Sequence, residues 1–382
     1  MNPRQRFSRV LERDEIYLAN HSLGRPPDRM AEDVRAALDA WYRDMDGAWQ
    51  LWLEAREKFR SLTGQLIGAP SADCVVPKTS AGQGLRAVLN ALPGKPRVLT
   101  TDAEFDSLDF ILRVYREKGR IALATLPFED FHARQADLLV VSTVAFRTSR
   151  ILQEVAQLIA KAHAAGSLVL LDVYHHAGVL PLDLAALDAD FAVGGSYKYL
   201  RGGPGACWLY VHPRHHRLVT LDTGWFAKQD VFAYERPEPP RFAPGGDAWL
   251  ESTPPVLAAF QALAGLEFTL EIGVGKLRAS SLARKALLAE ALLREGIRAE
   301  GAGEDHGAFL TVRHSAAAGI SGELRKRKIK TDARGEYLRL CPDILTSNEE
   351  LERAAATLGS LLREGYSLMA RHERSAIYQC WY

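Results

Sequence analysis

The chain has 382 residues, 47% of them hydrophobic, which is ample for a continuous core and for one large domain with a smaller one beside it. Its 48 basic and 47 acidic residues leave a net charge of +1, so no whole-molecule field exists to recruit nucleic acid or an anionic membrane. A compact enzyme acting on a small molecule is the expectation.

The Arg-rich start, Met1 to Asp14, lacks the apolar region of a secretory signal, and no later run approaches about 18 uninterrupted apolar residues. A cytoplasmic location is expected. The four cysteines, Cys74, Cys207, Cys341 and Cys380, have no CxxC spacing, which suits a reducing compartment and argues against a zinc site. From about residue 55 onward, helical and strand patterns alternate as in an α/β sheet with crossover helices.

The clearest such unit begins with a β-branched run at Ala136 to Val144. It continues with helical spacing from Ile151 to Ala165, ended by Gly166, and a second buried strand from Leu168 to Asp172. Ligands on such sheets sit beyond the carboxyl ends of the strands, where Asp172 lies. Next comes GGSYKYLRGGPGACWLYV, residues 194–211, with Lys198 between two tyrosines and a Gly-rich turn at Gly202 to Gly205. A lysine inside an apolar strand end needs a partner. Pyridoxal 5′-phosphate (PLP) would be one, since it forms a Schiff base with a lysine and needs a carboxylate against its pyridine nitrogen. Asp172 fits that role, although a strand-end Asp also serves as a helix cap or turn former. His175 is read either as orienting Asp172 or as lying over the cofactor, and His176 equally as a packed core imidazole.

The Pro-rich segment from Pro237 to Pro244 interrupts regular structure, and Thr253-Pro254-Pro255 precedes a long helical pattern from Val256 to about Thr269. A domain change near residue 255 is therefore expected. Beyond it follow an amphipathic helix at Leu282 to Arg294, strands at Ala308 to Arg313 and Tyr337 to Leu340, and a closing helix from Asn348 to about Gly365. The basic run from Arg325 to Lys330 reads as a solvated turn. His212, His215 and His216 have ligand-like spacing but no carboxylate or thiol close in sequence, so no metal site is expected.

SYKYLRGGPGA and DVYHHAG resemble the kynureninase-like group of class V aminotransferases around its Schiff-base lysine and pyridine-binding aspartate. The similarity runs over roughly residues 15–360. YLANHSLG, residues 17–24, resembles that family's N-terminal motif, and Trp49 with Leu66-Ile67-Gly68-Ala69 resembles the approach to its first phosphate loop. In VPKTSAGQGL the resemblance points to Ser80 and Ala81, where free N–H groups at a helix start favour a phosphate. In TDAEFDSLD it makes Phe105 the ring that stacks on the cofactor, core packing being the other reading. Here Asp106 replaces the usual Pro and Leu108 the usual Asp, which leaves Asp109 as the candidate for a second pyridine contact.

Gly224-Trp225-Phe226 and Ser252-Thr253-Pro254-Pro255 are similar to segments that reach the phosphate from the neighbouring subunit, implying a homodimer with shared active sites. Lys228 stands where the family has a histidine near the substrate ring. TDARGEYLRLCP resembles the run whose arginine, here Arg339, binds the α-carboxylate of an amino acid; a structural ion pair is the competing reading. The family's continuation after that run is replaced by Asp343-Ile344-Leu345-Thr346-Ser347.

The resemblance implies the fold type I architecture of PLP-dependent transferases. This is an α/β large domain, residues 51–255, with a mainly parallel seven-stranded sheet flanked by helices, and a small α+β domain, residues 256–382. Residues 1–50 would pack on the small domain and the dimer interface. It further implies catalytic Lys198, Tyr197 and Asp172. Cofactor contacts would come from Ser80, Ala81, Phe105, Asp172, His175, Tyr197, Lys198, Trp225 and Thr253, and substrate contacts from Arg339, Ser22 and His175. The expected reaction is hydrolytic Cβ–Cγ cleavage of L-kynurenine or 3-hydroxykynurenine to an anthranilate and L-alanine. The alternatives are a lyase, transaminase or epimerase on another amino acid, or a non-catalytic PLP-binding protein; retention of Lys198 and Asp172 favours catalysis.

Overall fold

The computed structural model describes residues 3–365. Seven apolar runs form its main sheet: Val75–Lys78 (β1), Arg97–Thr101 (β2), Ala122–Leu126 (β3), Leu138–Ser142 (β4), Leu168–Asp172 (β5), Phe191–Gly195 (β6) and Cys207–Val211 (β7). Their order is β1-β7-β6-β5-β4-β2-β3. Pairing is parallel from β6 across to β3 and antiparallel on both sides of β7. Strands β4, β6 and β7 are buried at every position, because helices cover both faces, and so they read as continuous apolar runs.

Side chains alternate between two cores. Val141, Leu171 and Trp208 face one side, Val140, Leu170 and Leu209 the other. Helices Arg29–Arg43 (α1) and Ala48–Ile67 (α2) lie on the first side, with Trp52 and Phe59 in that core. Helices Ala81–Leu89 (α3) and Asp106–Glu117 (α4) cover the second through Leu85, Val88 and Leu112. The crossover helix Val155–Ala164 (α5) begins later than its apolar spacing suggests, since Glu154 adopts a left-handed conformation (φ 53°). Gly166 ends it with φ 77°.

Helix Val256–Ile272 (α6), expected to open the small domain, belongs instead to the large core. Phe260, Leu263 and Leu266 join Trp52, Leu171 and Trp208 there. It is apolar on all sides, as a helix packed between other elements must be, so the Pro-Pro break in front of it marks a turn and not a domain boundary. The change of core falls at Gly273, where the chain bends by 83° into Val274–Arg294 (α7). Among the described residues no single helix is long and apolar enough to cross a membrane.

A third core lies between α7, strand Leu310–Arg313 (β8), helix Ala317–Lys326 (α8), strands Asp332–Arg334 (β9) and Tyr337–Leu340 (β10), and helix Asn348–Arg363 (α9). Its antiparallel sheet has the order β9-β10-β8. Ile16 and Leu18 complete this core, and Ile16–Tyr17 pairs in parallel with Ile329–Lys330. The N-terminal segment then crosses to the large sheet. Gly24 N–H donates to the Tyr197 carbonyl at 2.7 Å, and a Cβ on Gly24 would lie 1.9 Å from the Lys198 carbonyl oxygen. Half-buried Asp343, from the segment that departs from the family pattern, holds this junction by accepting from Arg25 and by an ion pair with Arg201 at 2.7 Å.

Asp343→Ala leaves two guanidiniums buried without their carboxylate, and should lower the unfolding free energy in a urea titration by about 3–5 kcal/mol. A loss of only about 0–1 kcal/mol, the range of exposed pairs, would show that this ion triad does not hold the junction.

Candidate active site

The carboxyl ends of β1, β2, β4, β5 and β6 point to one edge of the sheet, and there the reversed strand β7 begins. Lys198 stands just past the end of β6. Its loop is fixed by Ser196 N–H to Ala206 O at 2.9 Å and Gly202 N–H to Ser196 O at 2.7 Å. The side chain is 4% exposed, and its Nζ lies 2.9 Å from His175 Nε2. The rings of Tyr174, Phe105 and Tyr197 surround that nitrogen, with centroids at 4.8, 5.3 and 5.6 Å. Burial lowers the amine's pKa to about 7, against the pull of Asp172 and with the help of Arg339.

Asp172 ends β5, buried, with Oδ1 accepting from Tyr174 N–H at 2.8 Å. Burial raises its pKa, opposed by that hydrogen bond and by Lys198. His175 makes no hydrogen bond to Asp172 and lies beside the lysine. Nε2 meets Lys198 and Nδ1 lies 3.3 Å from Tyr199 Oη, while burial holds the imidazole well below its ordinary pKa. His176 is the packed one, contacting Thr143 Oγ1 at 3.1 Å and the Pro181 carbonyl at 2.9 Å.

Phe105 sits at the start of α4, edge-on to Phe146 at 4.9 Å. Leu108 is fully buried in the core, and Asp109 does not take over a pyridine contact: it lies on the outer face of α4, paired with Arg113 at 2.5 Å. The buried carboxylate that this loop does supply is Glu104, which sequence reasoning missed. It accepts from Thr101 Oγ1 (2.6 Å), Ser142 N–H (3.0 Å) and Ser142 Oγ (2.6 Å), and burial raises its pKa to about 7. Ser142 is the register partner of Asp172. A Glu directly before Phe105 was the available signal.

Arg339, on β10, is 1% exposed and engaged: it donates to Asp332 and, at 2.7 Å, to the Phe146 carbonyl. The ion-pair reading is therefore present in this structure. Its Nε, however, is buried without a hydrogen-bond partner, and its guanidinium lies 4.7 Å from the Phe146 ring and 5.3 Å from that of Phe309. Asp332 also accepts from Arg334 at 2.6 Å and lies 3.4 Å from Nε2 of His21, a buried residue that the sequence did not single out. Ser22, half-buried, lines a cleft of about 740 Å³ together with Asp332 and Arg334.

At the other end, Ser80 caps α3 by accepting from Gln83 N–H at 3.1 Å, exposed to solvent, with Ala81 buried behind it. Trp225 Nε1 donates to Thr253 Oγ1 at 3.1 Å, so these two form a pair of their own, with Thr253 exposed. Lys228 donates to the Glu235 carbonyl at 2.5 Å. His215 and His163 both meet buried Asp190, at 2.7 and 2.8 Å. Carboxylates are thus close in space to the histidines that lack them in sequence, within a network that includes Arg214.

The donor set fits PLP. It offers a buried amine of depressed pKa for an imine, a buried carboxylate on the adjacent strand for the ring nitrogen, an open helix start for a phosphate, and an unpartnered guanidinium N–H for a carboxylate.

Comparison with known proteins agrees. The chain is 31% identical to a kynureninase of Deinococcus radiodurans over 286 residues, covering 70% of this chain and 69% of that one. It is 27% identical to a kynureninase of Bacillus anthracis over 91% of this chain and 89% of that one. Among solved structures, the cystine C–S lyase C-DES with its product cysteine persulfide has a TM-score of 0.82 at 18% identity, over 92% and 99% of the two chains. Cysteine desulfurase from Thermococcus onnurineus has 0.79 at 17%, over 94% and 97%; both share the fold. The Aminotransferase class-V profile matches residues 34–331. With that match spanning most of its length and the lysine and aspartate at one sheet edge, the chain belongs to the class V aminotransferase family of PLP-dependent enzymes.

Proposed function

We propose that this protein is a kynureninase-type hydrolase that cleaves the Cβ–Cγ bond of L-kynurenine or 3-hydroxykynurenine. The observation that carries the reading is the 2.9 Å contact between Lys198 Nζ and His175 Nε2 in a pocket closed by aromatic rings. The curated kynureninases at 27–31% identity support it.

Bound PLP supplies an electron sink conjugated to the substrate's amine. Lys198, its amine brought down to about 7 by burial, is the base for the α-proton, and His175 Nε2 stands where it can accept a hydrogen bond from that amine. Asp172 sets negative charge at the ring-nitrogen end. Arg339 has a free Nε to offer the α-carboxylate, and Tyr197, its phenol pushed up to about 12 by burial, remains a proton donor. In the net reaction one water is consumed: its oxygen ends on the aromatic acid and its hydrogens are divided between that acid and alanine. Phe105, Ser80 and Ala81 hold the cofactor, Ser22 lies on the substrate side, and Trp225 and Thr253 serve the site of a second subunit in a homodimer.

A second reading, a lyase or transaminase on another amino acid, is favoured by the changes at Leu108 and Lys228 near the expected ring site. A desulfurase would need a reactive thiol. Cys74, Cys207 and Cys341 are all buried, with burial raising Cys207 to about 11 and Cys341 to about 12; Cys380 lies outside the described residues.

The purified holoenzyme given L-kynurenine should release fluorescent anthranilate, and Lys198→Ala should abolish both turnover and borohydride-trapped cofactor. A protein that binds PLP yet releases no aromatic acid would favour the second reading. Arg339→Lys keeps the charge but loses the planar fork, and should lower kcat/KM by about 100-fold, mostly through KM.

The buried amine also predicts a pH dependence. Between pH about 7 and the unfolded value near 10.5, the unfolded chain holds a proton at Lys198 that the folded chain does not, so rising pH favours folding. Cofactor-free protein should therefore gain stability across that window in urea titrations, and Lys198→Met should flatten the rise.

A further inference from the structure

Tyr174 follows Asp172 by two residues, and its ring is the nearest of the three to the Lys198 amine, at 4.8 Å. It is buried, packs at 5.1 Å against Tyr197, and runs from the end of β5 across the end of β6 to the start of β7. There its hydroxyl lies 2.9 Å from Cys207 Sγ. The Cys207 thiol in turn donates to the Thr79 carbonyl at 3.4 Å, just ahead of the phosphate-favouring start of α3. That fixes the sense of the chain: phenol to sulfur, thiol to carbonyl. Gly195 makes the path possible, since a Cβ there would lie 1.9 Å from Tyr174 Oη and 2.9 Å from Cys207 Sγ. Three positions in separate strand ends are thus matched to one tyrosine.

We propose that Tyr174 forms the second aromatic wall of the cofactor pocket, facing Phe105 across the pyridoxal ring, with Cys207 and Gly195 as the positioning residues that hold it there. The amine that would carry the cofactor lies within 5.3 Å of both ring centroids. A π-system so placed contributes stacking to an electron-poor heteroaromatic ring and excludes water from one face. Burial keeps the phenol well above its ordinary pKa and the Cys207 thiol near 11, so both donors stay protonated through the neutral range. The chain also ties this wall to the loop at the phosphate end, so that ring and phosphate sites are set by one network.

The test uses holoenzyme and pyridoxal 5′-phosphate, reading cofactor affinity and the visible circular dichroism of the bound cofactor. Tyr174→Leu keeps most of the volume without a π face and should weaken cofactor binding roughly three- to tenfold and change the visible dichroism. Tyr174→Phe should keep both nearly intact, and Gly195→Ala, which fills the hydroxyl's place, should resemble Tyr174→Leu. Unchanged or tighter binding in Tyr174→Leu with unchanged dichroism overturns the proposal. If Tyr174→Leu does not fold, a crystal structure of the parent with cofactor decides. Ring centroids about 4.5–7 Å apart support the wall, and a tyrosine turned away from the ring refutes it.

Discussion

An amine that must be buried and yet uncharged governs this structure. Taking a lysine out of water disfavours its cation, and the enclosure of Lys198 by three aromatic rings, an imidazole and the crossing N-terminal segment meets that demand by supplying surfaces that tolerate the neutral form. The same demand explains why Asp172, the charge that acts most on the amine, is held by a backbone N–H and not spent on a tight ion pair. A carboxylate locked to the lysine would restore the cation and remove the nucleophile.

The rest of the fold serves this enclosure. The parallel strands deliver Asp172 and Lys198 from neighbouring ends, with Ser142 between Asp172 and Glu104. The small domain brings Arg339 and Asp332, and the N-terminal segment His21, over the top, and aromatic side chains from both parts, Phe146 and Phe309, close around Arg339. The pocket is therefore a junction of two cores.

Much of this was legible in the sequence. Strands β5 and β10 fall where periodicity puts them, because a buried strand is a run of apolar residues whatever surrounds it. Lys198 and Asp172 stood out as charged groups set against such strands. What was hidden depends on pairing across long separations. Arg339 is engaged by Asp332 and by a carbonyl at Phe146, His21 comes from the far N-terminus, and Asp190 answers histidines that have no acid close in sequence. Helix α6 misled because a proline pair looks the same before a new domain as before a central helix. Asp109 was misplaced for a related reason: only the helix phase reveals that it faces outward.

The single reversed strand, β7, carries a consequence for how the site comes into being. Because β7 runs back beside β6, the lysine loop joins neighbouring antiparallel strands, so its two ends meet with little loss of chain entropy. Contacts this local keep the sequence separation of the pairing short. The hydrogen bonds that close the hook for the coenzyme, Ser196 N–H to Ala206 and Gly202 N–H to Ser196, therefore ask nothing of the distant C-terminal portion.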